Sequence, residues 1–368
     1  MNSTISNVKA LGILLMVMGH AMAGLSGVYN IAYNFIYLFH MPLFFFCSGY
    51  FFKDKNTETI NSGFIFFKKK VKGLYIPYLK WCLLFIAVHD ILIALNFYSP
   101  LNSPNGVYLT TYQFKDYWHC VSSAMLFNYN SDPMLGGFWF IGQLFWCSLI
   151  ACGLMWILGK ITSLSCNTKY IVGIMICLLM ALVVSFVHKS VPFIGINQRA
   201  FLCASYFLTG KLYAHNVEKI KLNIKAGWVI LIILFIIAVT DVIDDITQYS
   251  PDNYQLIPIK YIVALMGIYL SFLIITRSVI IRIGGNWISQ VGNLTLIILA
   301  LHFSSFKIVN LFICGLYNKP ITEISSFPII PYCNILFFVL YVLVGVSVPI
   351  IVYKIYHLIL RRIYGNKI

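Results

Sequence analysis

The sequence predicts an all-α polytopic membrane protein of about ten transmembrane helices, with both termini in the cytoplasm. Three observations predict it. Sixty per cent of the 368 residues are hydrophobic and ten per cent charged, where a soluble domain carries about 25% charged residues. The apolar residues gather into runs, most of them close to the ~20 residues a helix needs to cross a bilayer. With the N-terminus inside, the inner loops hold eighteen Lys and Arg and the outer loops five, as the positive-inside rule requires. That bias accounts for the net charge of +15 as membrane orientation, so the partner expected is the lipid bilayer and not a nucleic acid. No polar stretch is long enough for a separate soluble domain, and residues 1–368 read as one integral-membrane domain.

The runs fall at 8–24, 33–52, 73–98, 135–158, 170–188, 199–212, 226–241, 258–276, 287–306 and 332–356. The first resembles a signal peptide, with an apolar core at 10–18 and Ala21-Met22-Ala23 placed like a cleavage site. Lys9 is the only nearby positive charge, however, and cleavage would discard a histidine that the second run is placed to partner. Between the third and fourth runs lies a long outer segment, 99–134, with Pro100, Pro104, Pro133, Tyr112, Tyr117 and Trp118. Aromatics beside polar residues suit sugar stacking and an interfacial belt equally. The ten cysteines are scattered, with no C-x-x-C pair and no ligand spacing, so no metal is expected.

The stretch 9–53, KALGILLMVMGHAMAGLSGVYNIAYNFIYLFHMPLFFFCSGYFFK, holds more chemistry than packing in lipid requires. Lys9 and His20 are eleven residues apart, which puts them on one helical stripe roughly 16 Å apart along the axis. His40 follows in the second run, ahead of Met41 and Pro42. His89, next to Asp90, lies in the third and His302 in the ninth. The topology puts His20, His40, His89 and His302 in the outer half of the bilayer, where each is costly unless it faces protein or water. Each can also be a hydrogen-bonded histidine at a helix contact. Lys68, Lys69, Lys70 and Lys72 cluster at the inner mouth of the third run. They read as a topology signal, as a contact for anionic lipid, or as a phosphate-binding patch.

Several motifs in order resemble the acyltransferase family 3 membrane proteins, which acylate, usually O-acetylate, bacterial surface glycans. These are Lys9 with ten residues before His20, FHMPLFFFCSGYFF at 39–52, KKKVKGLYIPY at 68–78, GGFWFIGQLF at 136–145, RAFLCASYFLTGKL at 199–212 and GNLTLIILALHF at 292–303. The resemblance spans essentially the whole chain. It implies that His20 is the catalytic histidine, acting as general base, and that Lys9 fills a basic position where Arg is commoner. Lys keeps the charge there but loses the bidentate fork. Trp139, Arg199 and His302 match recurrent family positions. Implied with them are acetyl-CoA as acyl donor, held at Lys9 and Lys68–Lys72, and a carbohydrate acceptor such as O-antigen, capsule or another surface glycan, in the bacterial inner membrane. His40, His302 and Arg199 are further catalytic candidates, and Trp139, His89 and Asp90 are candidates for substrate binding. A sugar hydroxyl needs a base near pH 7, and histidine is suited to that work. Fixed donors for the oxyanion could come from Arg199, from Trp139 Nε1, or from loosened backbone at Pro42 and Gly49. The rival class is a lipid-linked sugar flippase or small-solute transporter, which intramembrane basic residues also suit. No repeat and no pair of Gly/Pro-broken helices marks one.

Overall fold

The computed structural model describes residues 3–23, 25–98, 110–128, 132–187, 196–243, 255–278, 285–330 and 334–364. Among these residues the regular structure is almost wholly helical, and eight segments are long and apolar enough to cross a membrane. Together with the more polar helix Gln198–Asn216 and the shorter apolar helix Ile224–Thr240, they account for the ten runs. Pro100 and Pro104 of the long outer segment lie outside the described residues.

Helix α1 (Ser3–Met22) is the axis of the bundle. It packs against α2 (Val28–Tyr37), α3 (His40–Tyr50), α11 (Ile257–Arg277), α12 (Gly285–Asn293), α13 (Thr295–Leu316) and α14 (Ile335–Tyr364). Gly12 and Gly19 permit this, since a Cβ at Gly12 would press on Leu43 and Phe44 and one at Gly19 on Tyr37. The second run is not one helix. The chain breaks at Leu38 and Phe39, and His40 is the first residue of α3.

The third run also starts earlier than its hydropathy indicates. Thr59 and Ser62 cap each other's backbone N–H at 3.1 Å, a capping box that opens α4 (Ile60–Lys70). The lysines at 68–72 therefore sit on helix and not in a loop. A π turn at Val71–Tyr75 joins α4 to α5 (Ile76–Ala94). Pro77 has no N–H to offer the Gly73 carbonyl and its ring crowds that carbonyl, so a wider turn relieves the strain; such π turns recur at functional sites.

A short helix α6 (Phe114–Met125) lies between α5 and α7 (Trp139–Gly159). Then come α8 (Cys166–Phe186), α9 (Gln198–Asn216) and α10 (Ile224–Thr240). The N-termini of α8, α9 and α10 are capped by Ser165, Asn197 and Asn223, each satisfying an N–H with no intrahelical partner. Helices α3 and α9 cross at backbone contact. Gly49 lies against the Phe207 carbonyl and Gly210 against the Phe46 carbonyl, and neither place has room for a Cβ.

The ninth run straddles two helices. Residues 285–293 form α12 beside the N-terminal end of α1, with Gly292 against the Ser6 carbonyl. After the break at Leu294, α13 runs on to Leu316. His302 is thus in the first half of α13 and not near the end of its span. Lys307, counted with an outer loop on hydropathy, is buried on the same helix. Its Nζ donates to the carbonyls of Ile324 (3.0 Å) and Ser326 (2.7 Å), and Asn310 Nδ2 donates to the same two carbonyls.

Candidate active site

The α1 stripe that carries Lys9 and His20 also carries Ile13 and Met16, each within about 40° of Lys9 at 100° per residue. Its upper end meets α13. The imidazole rings of His20 and His302 stack with centroids 5.2 Å apart and planes at 27°. Phe303 closes on both, at 4.7 Å from His20 and 4.0 Å from His302. On the other side of His20, Tyr37 Oη lies 3.2 Å from Nδ1, and Tyr37 meets His40 edge-on at 4.6 Å. The break at Leu38–Phe39 makes this possible, because it turns α2 so that Tyr37 faces α1.

The three histidines differ in what they can do. His40 Nδ1 donates to the Ile36 carbonyl at 3.0 Å. His302 Nδ1 donates to the carbonyls of Ile298 and Leu299 at 3.1 and 3.0 Å. That bond fixes the neutral tautomer and leaves the His302 Nε2 lone pair without a hydrogen-bond partner. A buried acceptor with no partner costs stability, and a site meant to take a substrate hydrogen is one place where that cost is kept. His40 and His302 are buried, whereas His20 is half-buried and keeps surface that a substrate can reach.

One and two turns from His20 along the stripe, Met16 and Ile13 form a wall of a cavity of about 160 Å³. Leu299, whose carbonyl accepts from His302, closes it on the α13 side, and Gly73 and Leu74 of the π turn stand at its edge. The walls are apolar apart from Thr295. A space of this size and character suits a small apolar group.

The remaining sequence candidates occupy other places. Arg199 at the start of α9 lies over the Trp139 ring, its Cζ 5.4 Å from the centroid, so those two candidates do meet. His89 and Asp90 hold the chain that leads into α6. His89 Nε2 bonds the Thr110 carbonyl at 3.0 Å, and its ring stacks on Tyr112 at 3.5 Å. Asp90 accepts from Tyr112 N and Tyr117 Oη, both at 3.0 Å. Pro42 and Gly49 lie inside the regular helix α3, so the backbone there is not loosened for an oxyanion; the loosened backbone is at Leu38–Phe39. Lys68, Lys69 and Lys72 are exposed on the helix surface, and Lys70 folds over Phe66 and Phe207. Lys9 lies beside Cys47 of α3.

Two acids stand out that sequence reasoning did not select. Asp132, just before α7, accepts from Tyr98 Oη at 2.7 Å and Met134 N at 2.8 Å, while its second oxygen has no partner. Burial pushes its carboxyl up to about 6. Asp54 takes Lys211 at 2.9 Å and His215 at 3.1 Å on one oxygen and the Tyr170 hydroxyl on the other. Cys166 approaches the far nitrogen of His215 at 3.6 Å. Asp54, Cys166 and His215 are close enough together to consider a metal. The imidazole, however, turns one nitrogen to each neighbour, and the Asp54 oxygen already holds an ammonium. The group is a closed ionic latch.

The family model described as an acyltransferase domain matches residues 2–354, nearly the whole chain. Neither a curated protein nor a solved structure matches it.

Proposed function

The chain belongs to acyltransferase family 3 and is a membrane acyltransferase, and we propose that it is an O-acetyltransferase taking its acetyl group from cytoplasmic acetyl-CoA. The acceptor is a hydroxyl of a bacterial surface glycan or of its lipid-linked precursor, and the enzyme works in the inner membrane with both termini in the cytoplasm. The observation that carries this reading is the stacked His20–His302 pair above an apolar cavity.

In this reading His20 Nδ1–H donates to Tyr37, which leaves Nε2 to take the proton of the acceptor hydroxyl. The hydroxyl oxygen attacks the thioester carbonyl and the C–S bond breaks. The imidazolium returns its proton to the leaving thiolate, so the products are the acetyl ester and free CoA. Aligning the base contributes about 10²–10⁴-fold. The apolar cavity below excludes water, which would otherwise intercept the acyl group. Lys9, Lys68, Lys69, Lys70 and Lys72 supply positive charge for the anionic donor. Arg199 and Trp139, joined by their cation–π contact, remain together as one candidate acceptor-side element. Family membership favours this chemistry over the flippase or transporter alternative.

The test is transfer of labelled acetyl from acetyl-CoA by membranes with and without the gene, followed by NMR of the surface glycan. Acetyl esters should appear only with the gene. Label that stays in acetyl-CoA under every glycan supplied would sink the proposal. Orientation is tested separately: an impermeant thiol reagent on intact cells should label Lys115→Cys and spare Lys55→Cys.

A further inference from the structure

A cavity at the N-terminal end of α1 has no role in the chemistry above. It measures about 600 Å³, within the ~300–1,000 Å³ of small-molecule sites. Thr4 and Ile5 of α1 form one wall, Tyr50 and Tyr213 a second, and Lys221 and Arg277 bring two cations from the turn before α10 and the end of α11. The phenol rings of Tyr50 and Tyr213 lie 6.2 Å apart, and Tyr213 is braced by Phe46 and Phe272 at 5.4 and 5.1 Å. Two cations with hydroxyls and braced aromatic faces in one concavity suit a phosphorylated base: charge-assisted bonds for phosphate, ring faces for a purine.

Its position along α1 adds the second argument. Ile5 lies on the same face of α1 as Lys9, Ile13, Met16 and His20, each of them within about 40° of Lys9. One face of α1 thus runs from the cationic cavity past Lys9 and the apolar cavity to the histidine pair. Lys9 stands roughly 16 Å below His20. A pantetheine arm has about twelve bonds between pyrophosphate and sulfur, and at the ~3.5 Å per three bonds of an extended polypeptide it spans about 14 Å. With the thioester at His20, the pyrophosphate falls at Lys9 and the nucleotide falls in this cavity.

We propose that the cavity between α1, α3, α9 and α11 seats the phosphorylated adenine-nucleotide head of the acyl donor, with Lys221 and Arg277 on its phosphates. This rests on the reading of the chain as a CoA-dependent transferase. The exposed lysines of α4 then act at a distance, drawing the anion to the surface, and do not form its seat.

Equilibrium binding to the detergent-purified full chain tests this without the acceptor. The probes are labelled acetyl-CoA and S-acetyl-pantetheine, which has the arm and thioester but no nucleotide. Lys221→Gln with Arg277→Gln should cut the preference for acetyl-CoA over acetyl-pantetheine by about ten- to a hundredfold, the worth of one or two charge-assisted hydrogen bonds. Misfolding would weaken both probes together and leave the ratio alone. Adenosine 3′,5′-bisphosphate should displace acetyl-CoA from the wild type and fail to do so from the double variant. If the ratio holds in that variant and falls instead in Lys69→Gln with Lys72→Gln, the seat is on α4 and the proposal is wrong. A wild type that binds neither thioester would overturn the donor reading itself.

Discussion

Two histidine clusters in this chain are built from the same residue types in opposite ways. Around His20, ring packs on ring: His302, Phe303, Tyr37 and His40 touch in sequence. Few hydrogen bonds are made, and one nitrogen is left without a partner. Around His215, the polar groups satisfy one another. Asp54 receives an ammonium, an imidazole and a phenol, and the cluster lies between spans. The first arrangement stores unmet hydrogen-bonding capacity inside an apolar bundle, which a substrate can fulfil. The second spends that capacity on joining the chain after α3 to α8 and α9. Residue type does not separate the two clusters; the polarity of the groups around each histidine does.

The largest expected effect breaks the first cluster. His20→Gln and His20→Ala should each lower kcat for acetyl transfer by about 10²–10⁴-fold, the contribution of a general base, with expression and membrane insertion intact. Gln can hydrogen-bond Tyr37 and so rescue a structural role, but it cannot take a proton. Donor affinity should change little, as expected for a group acting in the transition state. His20→Gln at more than a tenth of the wild-type rate would move the chemistry to another residue.

His302 gives a graded case. Its Nδ1 is committed to the Ile298 and Leu299 carbonyls, so Asn, which can donate like Nδ1–H, should hold the α13 contact without offering Nε2. His302→Asn should lower kcat by about 10–100-fold while keeping the fold, whereas His302→Phe should also lose stability, because it forces a larger ring into a fully buried site. Thermal unfolding in detergent, measured beside the rate, separates the two. Equal loss of stability and unequal loss of rate would reverse the assignment.

Part of this site is legible in the sequence because it is local. The spacing of Lys9 and His20 fixes their common stripe through helix geometry alone, and the same arithmetic adds Ile5, Ile13 and Met16 once the cavities are seen. The partnership of His20 with His302 is not local. It depends on the break at Leu294, which sets the register of α13 against α1; Gly292, Asn293 and Thr295 mark it, but averaging hydropathy over 287–306 hides it. Hydropathy likewise hides the start of α4, since Lys68–Lys72 lower the average in a stretch whose N-terminus is set by Thr59 and Ser62. Lys221 and Arg277 look like ordinary loop cations until the cavity gathers them. His89, a candidate by its intramembrane position, bonds the Thr110 carbonyl through Nε2 and stacks on Tyr112, contacts with a distant stretch of chain that the sequence does not show.

The smallest effect belongs to the closed latch, and it sharpens the comparison by leaving chemistry alone. Desolvation of Asp54 raises its carboxyl, and the hydrogen bonds and charges from Tyr170, Lys211 and His215 outweigh this and hold it below the usual carboxylate range. A carboxyl lowered in the folded state stabilises the fold above its unfolded value, about 3.9, and that stability drains away as pH falls through the folded value. Asp54→Asn keeps the shape and a hydrogen-bond acceptor but removes the charge. It should cost about 1 kcal/mol at pH 7, a modest figure because the carboxylate is half-exposed and screened by solvent. The difference in melting temperature between wild type and variant should be constant from pH 7 to about 5 and shrink below about 4. Acetyl transfer at pH 7 should stay within about twofold of wild type, since a surface pair worth this little couples weakly to a site elsewhere. A tenfold loss of activity in Asp54→Asn would show that the latch is part of the donor path, and the contrast between an open cluster that reacts and a closed one that holds would fail.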